Sequence, residues 1–125
     1  MLAKSEHFNE IKDEAMQLLT YLEEMELHEI VSAIKQINKY KLEVADYLDI
    51  ITLWYRDVLL YKAKADVEGL VFSDQLKYIK ERASKSSYEG IENILDAIEK
   101  AKSRIKANVN FDLLMELLLL TIKEN

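Results

Sequence analysis

Residues 41–65 read KLEVADYLDIITLWYRDVLLYKAKA, and the apolar side chains in this stretch recur at steps of three and four residues. That spacing places them on one side of an α-helix, which turns once every 3.6 residues. One stripe contains Val44, Leu48, Ile51, Tyr55 and Val58, and a second stripe beside it contains Tyr47, Ile50, Trp54 and Tyr61. The stretch therefore predicts a long helix that is apolar over much of its circumference and needs cover from several neighbouring helices.

Helical patterns also lie on both sides of this stretch. A first amphipathic helix is predicted from about residue 5 to 24, and a second from 27 to 38, where asparagine suits a helix stop. Residues 73–74 are Ser-Asp, which opens a fourth helix. Ser86, with Glu89 three residues later, predicts a capping box for a fifth helix.

The last predicted helix, from 111 to about 123, is rich in leucine. Asn108 suits a left-handed stop of the preceding helix, and Asn110 suits the N-cap of this one. Apolar side chains, Leu117 among them, lie on nearly all sides of it, so it must be covered all round. Two compatible interpretations stay open: a central helix packed by its neighbours, and a helix that also offers one face to a partner subunit.

Composition agrees with a helical protein. The 125 residues include no proline and only two glycines, Gly69 and Gly90, so few turns are encoded. Residues 70–72 read as a short apolar connector, because nothing nearby could pair with them as a strand. We expect an all-α protein, a single compact bundle of five to six helices that forms one domain over residues 1–125.

The sequence offers little material for chemistry. Metal sites in helical bundles use Glu-x-x-His pairs, but Lys4 and Met25 stand three residues before the two histidines, His7 and His28. There is no cysteine and no phosphate-binding loop. We therefore expect no catalytic residue, no cofactor and no metal ligand, and a cytoplasmic protein that does not span a membrane, since the apolar run at 117–122 is too short.

Charge is unevenly distributed along the chain. Residues 1–50 contain 11 acidic and 5 basic side chains, whereas residues 51–125 contain 12 of each. Residues 77–106 carry eight basic and five acidic side chains, which predicts a mildly basic strip on the fourth and fifth helices. A solvated face with pairs such as Asp96 and Lys100 one turn apart explains this strip better than a weak phosphate contact. DNA contact by this chain is therefore expected to be weak or absent.

Arg56 and Asp57 lie within the apolar third helix. No oppositely charged residue stands three or four positions from either one, and adjacent positions on a helix point about 100° apart. A lone charge on an apolar face is costly, so each side chain needs a partner from elsewhere in the fold or from another subunit. Both alternatives stay open for both residues.

Four stretches taken together resemble a known family. Residues 54–62 read WYRDVLLYK, 72–74 read FSD, 107–111 read ANVNF, and 113–119 read LLMELLL. In this order they resemble the C-terminal domain of the delta prime subunit of bacterial DNA polymerase III. The resemblance covers most of residues 40–123, and the first 39 residues match only as generic amphipathic helices.

The resemblance implies a role in the clamp loader, the ATP-driven machine that opens the sliding clamp around primed DNA. In that family the C-terminal helical domains of five subunits form a collar that holds the pentamer together, and preceding AAA+ domains carry the ATP sites. It thus implies delta and tau/gamma subunits as partners, a C-terminal fragment of a larger AAA+ subunit, and a parent holoenzyme that is a DNA-directed DNA polymerase. The family pattern falls on Trp54, Arg56, Asp57, Asn108 and Asn110.

These family positions, with Leu117 of the leucine-rich helix, are our candidates for fold signatures or subunit contacts. Two other hypotheses remain beside the clamp-loader collar. One is a free-standing helical adaptor whose last helix docks onto a partner helix. The other is a helical nucleic-acid or regulatory domain that uses the basic strip at 77–106.

Overall fold

The computed structural model describes the backbone of residues 2–38, 44–64, 67–106 and 110–125. Side chains are described from residue 9 onward within these ranges, except that of Lys106. The described residues form six α-helices and two short 3-10 turns, and no strand occurs among them. The predicted all-α bundle is confirmed.

The bounds of the elements follow the predicted order closely. The helices are α1 (Leu2–Tyr21), α2 (Leu27–Ile37), α3 (Val44–Lys64), α4 (Leu76–Lys85), α5 (Tyr88–Lys106) and α6 (Phe111–Glu124), and the 3-10 turns are Leu22–Glu24 and Ser73–Gln75. The predicted fourth helix thus begins as a 3-10 turn and becomes α-helical at Leu76. Asn108, the predicted stop of α5, lies outside the described residues. None of the described helices combines the length and apolar character needed to cross a lipid bilayer.

Helix α3 is the central element of the bundle. Helices α1, α4 and α5 all pack against it. Leu48, Ile51, Tyr55 and Val58, which share one predicted stripe, are inaccessible to solvent. The circumference of α3 is therefore covered from several directions, as its sequence requires.

Helix α6 is not covered all round by its own chain. It packs mainly against α5 on one side and α2 on another, and its residues Met115, Leu119 and Ile122 are fully buried. Leu113 and Leu117, however, are 53% and 52% exposed. The interpretation of α6 as a central helix enclosed by its neighbours is therefore wrong for the face that carries these two leucines.

The first of the two 3-10 turns is fastened to the last turn of α6. Lys123 Nζ donates hydrogen bonds to the main-chain oxygens of Glu23 and Met25, each at 2.7 Å. These bonds join residues about one hundred positions apart in sequence, and a cation is a favourable partner for carbonyls left unpaired at a helix end. The turn that follows α1 is thereby held to the C-terminal turn of α6.

Side-chain caps begin α5 and α6, but one predicted cap was assigned to the wrong serine. Asn110 is the N-cap of α6 as predicted, since its Oδ1 accepts the Leu113 N–H at 3.1 Å. For α5 the cap is Ser87, whose Oγ accepts the Gly90 N–H at 2.9 Å. Ser86 instead ends α4, and its side chain is buried. The predicted capping box of Ser86 and Glu89 is therefore wrong by one residue.

Replacement of Asn110 by alanine is expected to lower the free energy of unfolding by about 1 kcal/mol, because the Leu113 N–H loses its partner. Urea unfolding followed by circular dichroism measures the loss. Asn110→Asp is the matched control, because aspartate caps helices as well as asparagine does. Equal stability of the alanine and aspartate variants would contradict the capping role.

Candidate functional site

Asp57 joins α3 to the connector that follows it. The side chain is only 3% exposed, and its two oxygens each accept a main-chain N–H. Oδ1 accepts from Val71 at 3.1 Å, and Oδ2 accepts from Phe72 at 2.7 Å. Hydrogen bonds to an ionised carboxylate are stronger than neutral ones. Of the two alternatives left open for Asp57, the hydrogen bonds to the connector correspond to a partner from elsewhere in the fold.

The connector also contacts α1, at the side chain of Lys12. Phe72 is buried, and Lys12 Nζ lies 5.4 Å from the centre of its ring. The same ammonium group lies 3.8 Å from a carboxylate oxygen of Asp74. The turn before this point requires a residue that tolerates a left-handed backbone, and Gly69, with φ of +87°, supplies it. The connector is thus held between α3 and α1.

Arg56 has a different environment from its neighbour Asp57. Its side chain is exposed, and it makes no ion pair or hydrogen bond with any residue that the structure describes. An exposed guanidinium with five N–H donors can accept a carboxylate from another protein without first breaking an internal pair. The subunit contact predicted for Arg56 stays a prediction.

Trp54 belongs to the core rather than to the surface. It is buried, and its ring packs edge-on against Tyr55 with centroids 5.0 Å apart and planes at 83°. That geometry is favourable for aromatic pairs because the positive ring edge meets the negative face. Trp54 therefore stabilises α3 against its neighbours.

Tyr55 carries an unpaired polar atom into the core. Its hydroxyl is buried and has no hydrogen-bond partner among the residues that the structure describes. Burial raises the pKa of Tyr55 to about 12, with the nearby Arg82 lowering it and Glu23 raising it by smaller amounts. Desolvation dominates because the phenolate form would be charged in an apolar environment.

The basic strip predicted at 77–106 is neutralised in part by acidic partners. Lys100 pairs with Asp96 at 3.0 Å, as predicted, and Lys85 pairs with Glu23 at 3.1 Å. Lys102 donates to Asp49, and this hydrogen bond raises the pKa of its ammonium group. Arg82, counted in the strip, is buried instead. Three of the eight bases are thus paired with an acid and a fourth is buried, which leaves Lys77, Lys80 and Arg104 without an acidic partner among the described residues.

Two glutamates and His28 cluster at the start of α2. This cluster is best explained by the capping of the helix N-terminus. Glu26, His28 and Glu29 can bring one ligand atom each within 4.8 Å of one another, but all three side chains are exposed. Glu29 Oε1 accepts the Glu26 N–H at 3.2 Å, which satisfies one of the free donors at this helix end. The side chain of His7 lies outside the described residues.

Leu117, one of the two exposed leucines of α6, borders a shallow groove between α5 and α6. The groove has a volume of about 350 Å³, and Ala97, Ala101 and Leu117 form part of its wall. Arg104 and Lys100 stand at its edge. We call Leu113 and Leu117 the leucine face of α6. Two leucines separated by one helical turn and exposed together form an apolar strip of the kind that a partner helix buries.

Comparison with known proteins decides the family. The family model described as "DNA polymerase III, delta subunit, C terminal" matches residues 7–124, which is nearly the whole chain. The chain belongs to this family. A protein of Bacillus subtilis (strain 168) named DNA polymerase III subunit delta' is 36% identical over 77 residues. The resemblance to the delta prime C-terminal domain is therefore confirmed.

The match to the Bacillus subtilis protein is partial in length. It spans 62% of this chain and 23% of that relative. No solved structure matches the chain. What this member of the DNA polymerase III delta C-terminal family contributes to an assembly has to be argued from its own surface.

Asp57→Ala is expected to lower the free energy of unfolding of this DNA polymerase III domain by roughly 3 kcal/mol, because two main-chain N–H groups lose a charged acceptor. Arg56→Ala, the matched control on the adjacent residue, is expected to change it by less than about 0.5 kcal/mol. Chemical denaturation measures both, and amide hydrogen exchange at Val71 and Phe72 should accelerate only in the Asp57 variant. Equal effects of the two substitutions would refute the fastening role of Asp57.

The raised pKa of Tyr55 predicts that the free energy of unfolding falls at high pH. Its pKa is raised in the folded state above the ordinary value of 10, so the stability it contributes is complete below pH 10 and is lost as pH rises towards about 12. The expected slope from this group is about 1.4 kcal/mol per pH unit in that interval. Tyr55→Phe removes the unpaired hydroxyl and should abolish this component without destabilising the protein at neutral pH. Denaturation at a series of alkaline pH values tests both, and a slope that the substitution leaves unchanged would contradict this account.

Proposed function

We propose that this chain is the collar domain of a clamp-loader subunit, which assembles the subunit into the DNA polymerase III clamp-loader pentamer during DNA replication. Its partners would be the other subunits of that complex, delta and tau/gamma. Membership of the DNA polymerase III delta C-terminal family and the similarity to subunit delta' support this proposal. The proposal includes a cytoplasmic location and a single domain within a larger AAA+ subunit.

The leucine face of α6 is the observation that carries the assembly role. Leu113 and Leu117 are half exposed on a helix whose other apolar side chains are buried, apart from the partly buried Leu120. Covering the exposed half of each side chain contributes roughly 1 kcal/mol to association. Two such leucines one helical turn apart, one of them beside the groove that Ala97 and Ala101 help to form, supply the centre of an interface rather than scattered exposed residues.

Arg56 supplies a second, polar contact in this proposal. It is exposed and has no partner within the described part of the chain, whereas the neighbouring Asp57 is occupied internally. Charged contacts at an interface select the partner and its orientation more than they add affinity. An acidic residue on a neighbouring subunit would meet this requirement.

The domain contributes no catalysis of its own in this proposal. Most acidic and basic side chains of the described residues lie in caps, ion pairs or solvated faces, and the buried Asp57 binds the connector. The paired bases at 77–106 likewise support protein assembly over nucleic-acid binding. A free-standing adaptor would use the same leucine face, so reconstitution has to separate the two roles.

Leu113→Glu with Leu117→Glu, introduced into the whole subunit that carries this chain, is expected to prevent incorporation into the pentamer. Each substitution would place a charge in an apolar contact, which costs far more than the lost contact itself. Mixing with the remaining clamp-loader subunits, followed by size-exclusion chromatography with light scattering, measures incorporation. Arg56→Glu should weaken incorporation less severely.

Leu27→Glu is the matched control, because Leu27 is 57% exposed on a different helix. It should leave incorporation unchanged. A pentamer that forms equally well with the double leucine variant would refute the assembly role of α6. Circular dichroism of each variant separates lost assembly from lost folding.

A further inference from the structure

A groove that neither residue of the leucine face lines lies on the acidic half of the chain. It runs between α1 and α2 and has a volume of about 610 Å³. That volume falls within the range of roughly 300–1,000 Å³ that ligand-binding clefts occupy. We call this the α1/α2 groove.

The groove exists because its two walls are held by different neighbours. Helix α1 packs mainly on α3, whereas α2 packs on α6. The two helices therefore diverge after the 3-10 turn that joins them. The space between them is open along its length and is bounded by apolar side chains below, including Leu18 and Ile37, both buried.

The lips of the groove are acidic. Glu14, Glu24 and Glu29 line it, and no basic residue does so within the described part of the chain. Glu14 and Glu24 form no ion pair with any described residue. Lys123 approaches the adjoining turn, but its ammonium group is engaged by two main-chain oxygens and does not line the groove. Within the described ranges, no basic side chain that lines this cleft offsets its negative charge.

An exposed aromatic ring stands beside these carboxylates. Tyr21 is 54% exposed and forms part of the groove wall, near Met25 and Ala33. Carboxylates recognise a guanidinium through paired hydrogen bonds, and an aromatic face attracts the same cation. Apolar surface next to that arrangement accepts an aliphatic side chain.

We propose that the α1/α2 groove binds a helical segment of a partner protein that presents an arginine beside leucine-type side chains. Arginine fits better than lysine, because its planar guanidinium both pairs with carboxylates and stacks on a ring. The apolar floor of the groove, which includes Leu18 and Ile37, suits the aliphatic side chains of a protein segment better than a small polycation. This contact is separate from the leucine face of α6, so the two proposals can be tested independently: loss of one contact does not require loss of the other.

The test uses a synthetic amphipathic helical peptide made only of alanine, leucine and arginine, added to the 125-residue chain. Binding measured by fluorescence anisotropy should be saturable, and amide chemical-shift changes should map to the residues that line the groove. A peptide with lysine in place of arginine should bind more weakly, and one with glutamate should not bind. Addition of salt should weaken binding.

Glu14→Gln with Glu24→Gln should weaken binding of the arginine peptide roughly fivefold, since each exposed pair contributes up to about 1 kcal/mol. Glu89→Gln with Glu92→Gln on α5 is the matched control, because it removes the same charge from exposed positions outside the groove. It should leave binding unchanged. Tyr21→Ala should weaken binding without altering the net charge.

Three results would overturn the proposal. Equal weakening by the two double variants would show attraction by net charge alone. Shift changes outside the groove would place the contact elsewhere. Spermidine that binds as tightly as the peptide, with the same dependence on Glu14 and Glu24, would show a site for small cations rather than for a protein segment.

Discussion

Because helix α3 carries apolar side chains around most of its circumference, the chain has to cover it from several directions at once. Three helices, α1, α4 and α5, do so. Such a helix leaves little surface where a charged residue can reach water, and Asp57 lies in the buried part of it. The fold must therefore cover the apolar surface of α3 and also give the buried Asp57 a polar partner. The arrangement of the remaining elements meets both requirements.

The carboxylate of Asp57 resolves the conflict by giving two main-chain N–H groups of the connector their acceptor. A segment without regular structure usually leaves N–H groups that need water. Here Val71 and Phe72 satisfy theirs on α3, so the Phe72 ring can enter the core. One buried charge thereby both satisfies itself and sets the path of the chain from α3 to α4, whereas the adjacent Arg56, one position round the helix, reaches solvent.

The sequence predicted some of these features fully and others only in part, for physical reasons. Helical periodicity and the Asn110 cap depend on residues close in sequence, and both are confirmed. The absence of a local partner showed that Asp57 needed a distant acceptor or donor, but spacing alone cannot say which. Adjacent serines at 86 and 87 offer equivalent hydroxyls, and only the direction in which α4 ends selects Ser87 as the cap.

Exposure of individual side chains was harder to predict, because it depends on which helices become neighbours. Composition placed Arg82 on a basic strip, yet α4 turns it towards α3, where it lies buried near Tyr55. Likewise the pattern of α6 showed apolar residues on nearly every side without showing which would stay uncovered. The α1/α2 groove was not predicted at all, although the acidic excess of residues 1–50 was a signal for its charge.

The groove and the leucine face have a common origin in the position of α2. A helix with one apolar stripe can pack that stripe against one neighbour, and α2, with Ile30 and Ile34 buried, packs on α6. In this position α2 covers one side of α6 but does not pack closely against α1. The space between α1 and α2 is the groove. Packing of α2 onto α1 instead would close the groove and expose more of α6. Helices α2 and α5 each cover one side of α6. Leu113 and Leu117 lie on a side that neither helix covers, so a partner protein bound there would bury the apolar surface that the chain leaves exposed.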